Sequence, residues 1–141
     1  MLFRSDLTGP TVAGGRTSGD LQFDFAGGFA AIENGDMDTF KSCYTPDAVI
    51  WHNHDGVEQN IDECAAGLAF LCSATTNLAY QDQRIVRHGN LYFVEHILTA
   101  QIKSGGEFRL AAMMRLETND DGQITRLNEY FDSRAIDCLM S

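Results

Sequence analysis

Four long runs rich in β-branched and aromatic residues fill the second half of the chain and constrain its fold more than any other feature. They cover residues 80–88, 91–103, 107–118 and 123–133. Only short Gly, Asn and Asp clusters separate them, at residues 89–90, 105–106 and 119–122, and such clusters are typical of tight turns. The pattern predicts three consecutive hairpins, which form an antiparallel meander.

The preceding part of the chain has helical periodicity. A stripe of apolar residues runs from Phe25 to Tyr44 and is interrupted at residues 34–36, which predicts two consecutive helices. Pro46 ends the second helix, and a short strand follows around residues 48–51. A third helix is predicted over residues 59–72. Helices followed by strands predict an α+β fold, with the helices packed on one face of a strongly bent sheet.

Residues 1–20 differ from the rest in composition. They combine Gly9-Pro10, Gly14-Gly15 and Gly19 with Ser and Thr, and such a segment buries too little apolar surface to order itself. We therefore expect a flexible N-terminal arm over residues 1–20, and the alternative is a segment that folds over its own pocket or a partner subunit. Residues 21–141 form one domain, since 44% hydrophobic composition suffices for a single core.

The charge balance bears on partners. Ten Lys and Arg against twenty Asp and Glu give a net charge of −10, which repels nucleic acid and anionic membrane surfaces. The chain lacks a secretory h-region at its start and any run of about 18 apolar residues, so a cytoplasmic protein is expected. Cys64 and Cys72 share a predicted helix with a rise of about 12 Å between them, too far for a disulfide, so free thiols are expected.

Strand alternation indicates which side chains face the interior. In residues 107–117 one face is wholly apolar and is predicted to be internal; its members are Phe108, Leu110, Ala112, Met114 and Leu116. In residues 123–133 the face with Glu129 would place a carboxylate among apolar groups. In residues 91–103 the face with His96 and the face with Glu95 are nearly balanced, so alternation alone leaves the choice open.

The order of elements resembles that of a known family. GDMDTFKSCYTPDAVIWHNHDG at residues 35–56 and DGQITRLNEYFDSRAID at residues 121–137 are similar to the SnoaL-like branch of the NTF2-like superfamily. The resemblance covers about residues 21–138 and implies a cone-shaped α+β barrel. That superfamily contains ketosteroid isomerase, scytalone dehydratase, limonene epoxide hydrolase and polyketide cyclases, and also non-catalytic modules. It therefore specifies the fold and leaves the reaction open.

Limonene epoxide hydrolase resembles this chain over FVEHILTA (93–100) and LNEYFDSR (127–134). Its residues that match His96, Leu98 and Glu129 are an arginine and two aspartates facing the cavity, which implies that the His96 face is internal. Its tyrosine and asparagine that hold the attacking water match Trp51 and Asn53. Because Leu98 replaces the acid, the resemblance argues against epoxide hydrolysis here. The remaining His–Glu pair suits proton transfer.

We therefore expect a cofactor-independent acid/base enzyme, a lyase or an isomerase, acting on a small apolar molecule that is aromatic or polycyclic. His96 would transfer the proton. Glu129 would orient the His96 imidazole and stabilise its charge, and Asn53 would donate a hydrogen bond to a substrate oxygen. Other expected substrate-binding residues are Trp51, Tyr92, Leu98, Phe108, Leu110, Met114, Phe131, Glu33 and His54. His96 as a satisfied core histidine and Glu33 as a solvated helix end are the alternatives.

The WHNHDG stretch at residues 51–56 contains an H-x-H pair. Alternation separates Trp51 and Asn53 from His52 and His54, and we expect the histidines outside the pocket, with His54 able to turn into its mouth. Such spacing could chelate a metal, but a third ligand would have to come from Asp55, Glu58 or His88, and nothing in the arrangement of these residues indicates one, so no metal site is predicted.

Two further expectations concern assembly and class. The outer sheet face is too apolar to leave exposed, so a homodimer is expected; it carries Phe93, Ile97, Arg109, Ala111, Met113 and Arg115. The rival to an enzyme is a non-catalytic small-molecule-binding or dimerisation module. If the protein were such a module, His96 and Glu129 would be separated or used in structural hydrogen bonds, and there would be no open cavity.

Overall fold

The computed structural model describes residues 24–140, so the predicted arm over residues 1–20 lies outside the described residues. The elements are α1 (Phe25–Glu33), α2 (Met37–Ser42), β1 (Tyr44–His52), β2 (Glu58–Gln59), α3 (Ile61–Ala74), β3 (Thr75–His88), β4 (Leu91–Ile102), β5 (Glu107–Thr118), β6 (Ile124–Phe131) and α4 (Arg134–Met140). The predicted α+β fold, with helices first and long strands afterwards, is confirmed.

The strands form one curled, unclosed sheet in the order β2-β1-β6-β5-β4-β3. The pairs β3–β4, β4–β5 and β5–β6 are antiparallel, which confirms the predicted meander. β1 adds to this meander in parallel with β6, and β2 pairs with the far edge of β1. The first strand and the last strand of the sequence thus become neighbours, which alternation could not indicate.

Local capping explains where the helices begin and end. The Asp24 side chain accepts from the Gly27 amide at 2.9 Å and starts α1. α1 ends at Asn34-Gly35, where Gly35 has φ +71°, a conformation that favours glycine. Asp36 then caps α2, which confirms the predicted break. One expectation was wrong: Tyr44 begins β1 rather than ending a helix. The last strand ends at Phe131, two residues before its predicted end, and α4, which begins at Arg134, was not predicted.

The core lies between the concave face of the sheet and the helices α1 and α3. Buried residues alternate along β4 and β5, and they include the predicted internal face of β5 and the His96 face of β4. Phe25, Phe29 and Ile32 of α1 and Ala65 and Leu71 of α3 cover this face. None of the helices within residues 24–140 could cross a membrane; the longest, α3, has 14 residues.

β3 bends twice along its length. Its pairing with β4 shifts between Thr76 and Ala79 and again between Gln81 and Arg84. Asn77 (φ +57°) and Asp82 (φ +53°) adopt left-handed backbone at these bulges. Between them, the backbone N–H of Tyr80 donates to the Glu33 carboxylate of α1 at 2.8 Å. The bulges thereby curl β3 over the helices and fix the position of Tyr80.

Candidate functional site

A cavity of about 350 Å³ lies between the concave sheet face and the helices. Most of its wall is apolar, from Phe25, Phe29, Ile32, Leu98, Phe108, Leu110, Met114, Leu116, Leu127 and Phe131 among others. Its polar side chains are Tyr44, His52, His54, Asp55, Gln59, Tyr80 and Glu129, with the thiols of Cys43 and Cys64. An apolar wall with a few polar groups is the usual composition of a small-molecule pocket.

The Glu129 carboxylate lies between two imidazoles. Its Oε1 is 3.3 Å from Nε2 of His52, and its Oε2 is 3.7 Å from Nε2 of His96. The parallel register pairs His52 with Glu129, so the two side chains share a face of the sheet. His96 approaches from β4 across the concave surface. The predicted His96–Glu129 pair is therefore within contact, and His52 joins it on the other side.

His96 is buried behind the cavity wall. Its side chain is 1% exposed and lies against the rings of Phe29 and Tyr80, at centroid distances of 5.6 and 5.0 Å. Within residues 24–140, neither ring nitrogen has a hydrogen-bond partner. Burial lowers the pKa of His96 below its usual value of 6.5, and the Glu129 charge offsets this only in part. Desolvation therefore outweighs the attraction of the carboxylate for the protonated imidazole.

The orientation expected for WHNHDG was wrong. His52 and His54 line the cavity, whereas Trp51 packs against Tyr130 outside it, with ring centroids 5.3 Å apart. The reason is the position of Ile50, which is 1% exposed in the core. Since side chains alternate along a strand, His52 shares the inward face of Ile50, and Trp51 takes the other.

Asn53 is used in structure rather than facing the cavity. Its amide nitrogen donates to the Phe131 carbonyl at 3.1 Å, and its side-chain oxygen accepts from the Phe131 amide at 3.0 Å. These two bonds join the end of β1 to the end of β6. Asn53 is absent from the cavity lining, and its side-chain oxygen and one N–H of its amide are used in these bonds; that it donates to a substrate oxygen stays a prediction.

The other predicted pocket residues divide into two groups. Those that line the cavity are His54, Leu98, Phe108, Leu110, Met114 and Phe131. Tyr92 lies outside the lining, fully buried against Phe25 at a centroid distance of 5.2 Å. Glu33 also lies outside it and accepts the Tyr80 amide, so it supports β3 instead of meeting a ligand. That any lining residue touches a substrate stays a prediction.

Six polar residues of the cavity lining were missed besides His52; they are Cys43, Tyr44, Asp55, Gln59, Cys64 and Tyr80. Tyr44 belongs to a stripe interpreted as helix, Cys64 to the apolar face of the predicted third helix, and Tyr80 to the start of a predicted strand. Burial, and secondarily the charge of Glu129, raises the pKa of the Cys64 thiol to about 12. Burial raises the pKa of Tyr44 and Tyr80 well above 10, with a further contribution from Glu129. All three groups therefore stay protonated at neutral pH.

The second histidine of WHNHDG has its own acidic neighbour. His54 Nε2 lies 3.5 Å from the Asp55 carboxylate at the cavity rim. Throughout residues 24–140, however, no three His, Cys, Asp or Glu side chains converge in a way that could hold a metal ion.

Comparisons with known proteins agree with the architecture. IdmH from Streptomyces antibioticus, a proposed polyketide cyclase, superposes with a TM-score of 0.69 at 18% identity, over 82% of this chain and 94% of IdmH. A proposed isomerase from Bacillus subtilis gives 0.68 at 15% identity, over 80% and 86%. PrhC from Penicillium brasilianum gives 0.68 at 17% identity, over 82% of each chain. Curated protein sequences give no match.

These structural likenesses are too distant in sequence to carry more than the fold. The family assignment rests on a direct match to the chain itself. The SnoaL-like domain matches residues 25–127, from the start of α1 into β6. This range contains α1, α2 and α3, the strands β1 to β5, the first half of β6 and most of the cavity wall, and Glu129 lies just beyond it. The chain belongs to the SnoaL-like domain family, within the NTF2-like superfamily.

Proposed function

We propose that this protein is a cofactor-independent acid/base enzyme that moves a proton on a small apolar molecule, with Glu129 as the group that takes the proton. The observation that carries the proposal is the Glu129 carboxylate on the wall of an apolar cavity, 3.3 Å from one imidazole and 3.7 Å from another. A carboxylate held in an apolar site beside proton-exchanging groups is a common form of general base.

The two histidines take different roles in this proposal. His52 lines the cavity, so it can contact a substrate and exchange a proton with it or with Glu129. His96 does not line the cavity and acts through Glu129 as a positioning residue. This reverses the expected roles, in which His96 transferred the proton and Glu129 oriented the His96 imidazole. Burial and access to the cavity are the reasons for the reversal.

Removal of a proton by Glu129 is compatible with several classes of reaction. Isomerisation, dehydration and aldol cyclisation can each begin with removal of a proton from the carbon next to a carbonyl. Retro-aldol cleavage begins instead with removal of a hydroxyl proton, and breaking of the C–C bond then gives the enolate. The volume of the cavity and its apolar wall support the proposal of a small, apolar substrate that is aromatic or polycyclic. A proposed polyketide cyclase and a proposed isomerase among the structural neighbours are consistent with this class.

Proton exchange on a simple ketone tests the proposal without knowledge of the natural substrate. We expect the protein to accelerate exchange of the acidic C–H protons of 2-tetralone in D₂O, followed by NMR. Glu129→Gln keeps the shape but removes the base, so the rate should fall by ~10²–10⁴-fold.

The matched control for that experiment is Glu95→Gln. Glu95 is an exposed carboxylate on the outer face of β4, where it pairs with Arg84. Its substitution should leave the exchange rate unchanged. If Glu129→Gln exchanged protons as fast as the wild type while still binding the ketone, Glu129 would not be the base.

The rival, a non-catalytic module, makes the opposite structural prediction. It requires His96 and Glu129 apart or used up in structural hydrogen bonds, and it requires no open cavity. Their 3.7 Å separation and the cavity of about 350 Å³ favour the enzyme. A module would bind the ketone without accelerating its proton exchange.

We also propose that the protein is a homodimer formed through the convex sheet face. Phe93 and Met113 are 38% and 45% exposed on adjacent strands of that face. Light scattering should give about twice the 15.6 kDa chain mass, and Met113→Lys should shift the protein toward the monomer. A single 15.6 kDa species of the wild type at micromolar concentration would contradict the dimer.

A further inference from the structure

Four titratable side chains form a row from the inside of the cavity to its rim. All four belong to the cavity lining: Glu129, His52, His54 and Asp55. Nε2 of His52 lies 3.3 Å from the Glu129 carboxylate, and the rings of His52 and His54 are 6.0 Å apart between centroids. Nε2 of His54 lies 3.5 Å from Oδ2 of Asp55. The exposed fraction of the side chain rises along this row, from 18% for Glu129 and 20% for His52 to 27% and 47% for the last two. The row therefore connects the carboxylate to solvent.

The turn after β1 brings the two histidines together. The Gly56 amide donates to the His52 carbonyl at 3.0 Å, so the chain reverses and His54 comes back beside His52. Both imidazoles pack against the ring of Phe131, at centroid distances of 6.1 Å for His52 and 5.3 Å for His54. The end of β6 thus holds both rings at the rim.

The other polar groups near Glu129 offer no comparable route to solvent. His96 is 1% exposed, so a proton passed to it would go no further. Burial raises the pKa of the Tyr44 and Tyr80 phenols and of the Cys64 thiol, so these groups stay neutral and are poor proton acceptors. Imidazole is better suited, because it accepts a proton on one nitrogen and donates from the other.

A proton taken by Glu129 has to leave before the base can act again. The wall around the carboxylate is largely apolar, so a bound apolar ligand excludes water from it. Without another acceptor, the protonated carboxylate would return the same proton to the substrate. A neighbouring imidazole provides that acceptor, since imidazole is in general a stronger base than a carboxylate.

We infer that His54 is a proton-transfer residue that connects His52 to solvent, so that the proton taken by Glu129 exchanges with water at the rim while a ligand fills the cavity. The inference rests on the proposed function and goes beyond it by assigning a route for the proton. Protonated Glu129 gives its proton to Nε2 of His52, which releases the proton of its other ring nitrogen to His54 through one water molecule. His54 then releases a proton to solvent, and Asp55 stabilises its positive charge during the transfer. A solvent proton returns by the same path, so the net reaction replaces one hydrogen by another and needs no co-reactant.

Release of two isotopes from the same substrate tests the route separately from the base. 2-Tetralone carries deuterium or tritium at C1, and release of each label into H₂O is followed in the same buffer. In the wild type, breaking of the carbon–hydrogen bond limits release, so deuterium should leave faster than tritium. In His54→Gln, the label on Glu129 should return to carbon before it escapes. Net release should therefore fall by about tenfold, less than the ~10²–10⁴-fold for loss of a base, because water partly replaces the route.

The ratio of the two release rates distinguishes proton transfer from a structural role. In His54→Gln this ratio should fall toward unity, because escape of the label rather than bond breaking then limits release. A variant that only distorted the site would slow bond breaking and keep the ratio. His54→Ala gives a second readout: free imidazole added to this variant should restore both the release and the ratio, and it should leave the wild type unchanged.

Two further variants complete the test. Asp55→Asn keeps an acceptor oxygen for the Val57 amide, which Oδ1 of Asp55 binds at 3.0 Å, and removes the charge beside His54. It should lower release by at most about fivefold, the effect of an exposed charge pair. The matched control is His88→Gln, which changes an exposed imidazole outside the cavity lining and should change neither the release nor the ratio.

The contrary results are equally specific. Wild-type release and ratio in His54→Gln would overturn the inference. Slower release with an unchanged ratio and no rescue of His54→Ala by imidazole would overturn it too. Failure of the proposed function looks different: the wild type would release neither label faster than buffer alone, or Glu129→Gln would release both as fast as the wild type. The route would then have no proton to carry.

Discussion

The two imidazoles beside Glu129 have the same chemistry and opposite surroundings. His52, on β1, lines the cavity with 20% of its side chain exposed, and His96, on β4, is 1% exposed behind the wall. One can meet a ligand directly, and the other can reach it only through the carboxylate. Accessibility to the cavity, and not residue type, therefore distinguishes the roles that we propose for the two histidines.

The origin of the difference lies in the sheet. β1 runs parallel to β6 and ends at the carboxylate, so His52 sits at the last position of its strand. His96 is in the middle of β4, under α1 and beside β3. A strand end leaves a side chain partly open, whereas a strand centre in a curled sheet encloses it.

The largest expected difference concerns activity. His52→Gln should lower the rate of 2-tetralone proton exchange by about 10- to 100-fold, because it removes the imidazole whose Nε2 lies 3.3 Å from the Glu129 carboxylate. A hydrogen bond formed there to the charged group during the reaction would contribute ~1.5–3 kcal/mol. His96→Leu should lower it less. The control is His88→Gln, which changes an exposed imidazole at the end of β3. A greater loss in His96→Leu than in His52→Gln would invert the comparison.

The next difference concerns stability. Both ring nitrogens of His96 are buried without a partner in residues 24–140. An unpaired buried polar group costs ~1–3 kcal/mol, so His96→Leu should raise the free energy of unfolding by about 1 kcal/mol or more. His52→Gln should leave it nearly unchanged. Urea denaturation measures both, and destabilisation of His96→Leu would indicate that the imidazole is well satisfied.

The pH dependence gives a third and smaller contrast. Burial lowers the pKa of His96 in the folded state below 6.5, so between the two values the unfolded chain binds more protons. Stability then rises with pH across this window. The contribution of neutral His96 is fully present above about 6.5 and is lost as the pH falls toward the folded pKa. The stability gap between His96→Leu and wild type should therefore widen below pH 6.5, which denaturation at several pH values can follow.

The smallest expected effect concerns the hydrogen bonds between the Asn53 side chain and the Phe131 backbone, which lie on the His52 side of Glu129. Asn53 joins the end of β1 to Phe131, just beyond the His52–Glu129 contact. Asn53→Ala should cost about 1 kcal/mol of stability at this exposed position, since it removes two hydrogen bonds that water partly replaces. Chemical shifts of His52 should move in the variant and those of His96 should not. Equal shifts for both would show that the two sides are not independent.

Much of the fold and part of the site could be predicted from the sequence. β5 has one purely apolar face, so its internal side was evident, and the turn clusters fixed the meander. β1 gave no such signal, because Trp51 and Asn53 on one side and His52 and His54 on the other are both mixed faces. Only the parallel pairing with β6, more than seventy positions later, decides between them. The cavity phenols depend on the same long-range packing, so alternation alone could not identify them.

The two bulges that flank Tyr80 have a consequence for how this site could diversify. Each bulge resets the alternation of β3, so Tyr80 faces the cavity by virtue of an extra residue rather than by a continuous pattern. Loss of a single residue at either bulge would exchange the inward and outward side chains of the segment beside it. Meanwhile β4, β5 and β6 would keep their register. A one-residue deletion, ordinarily harmful in a strand, is here a short evolutionary route to a different set of side chains around the cavity.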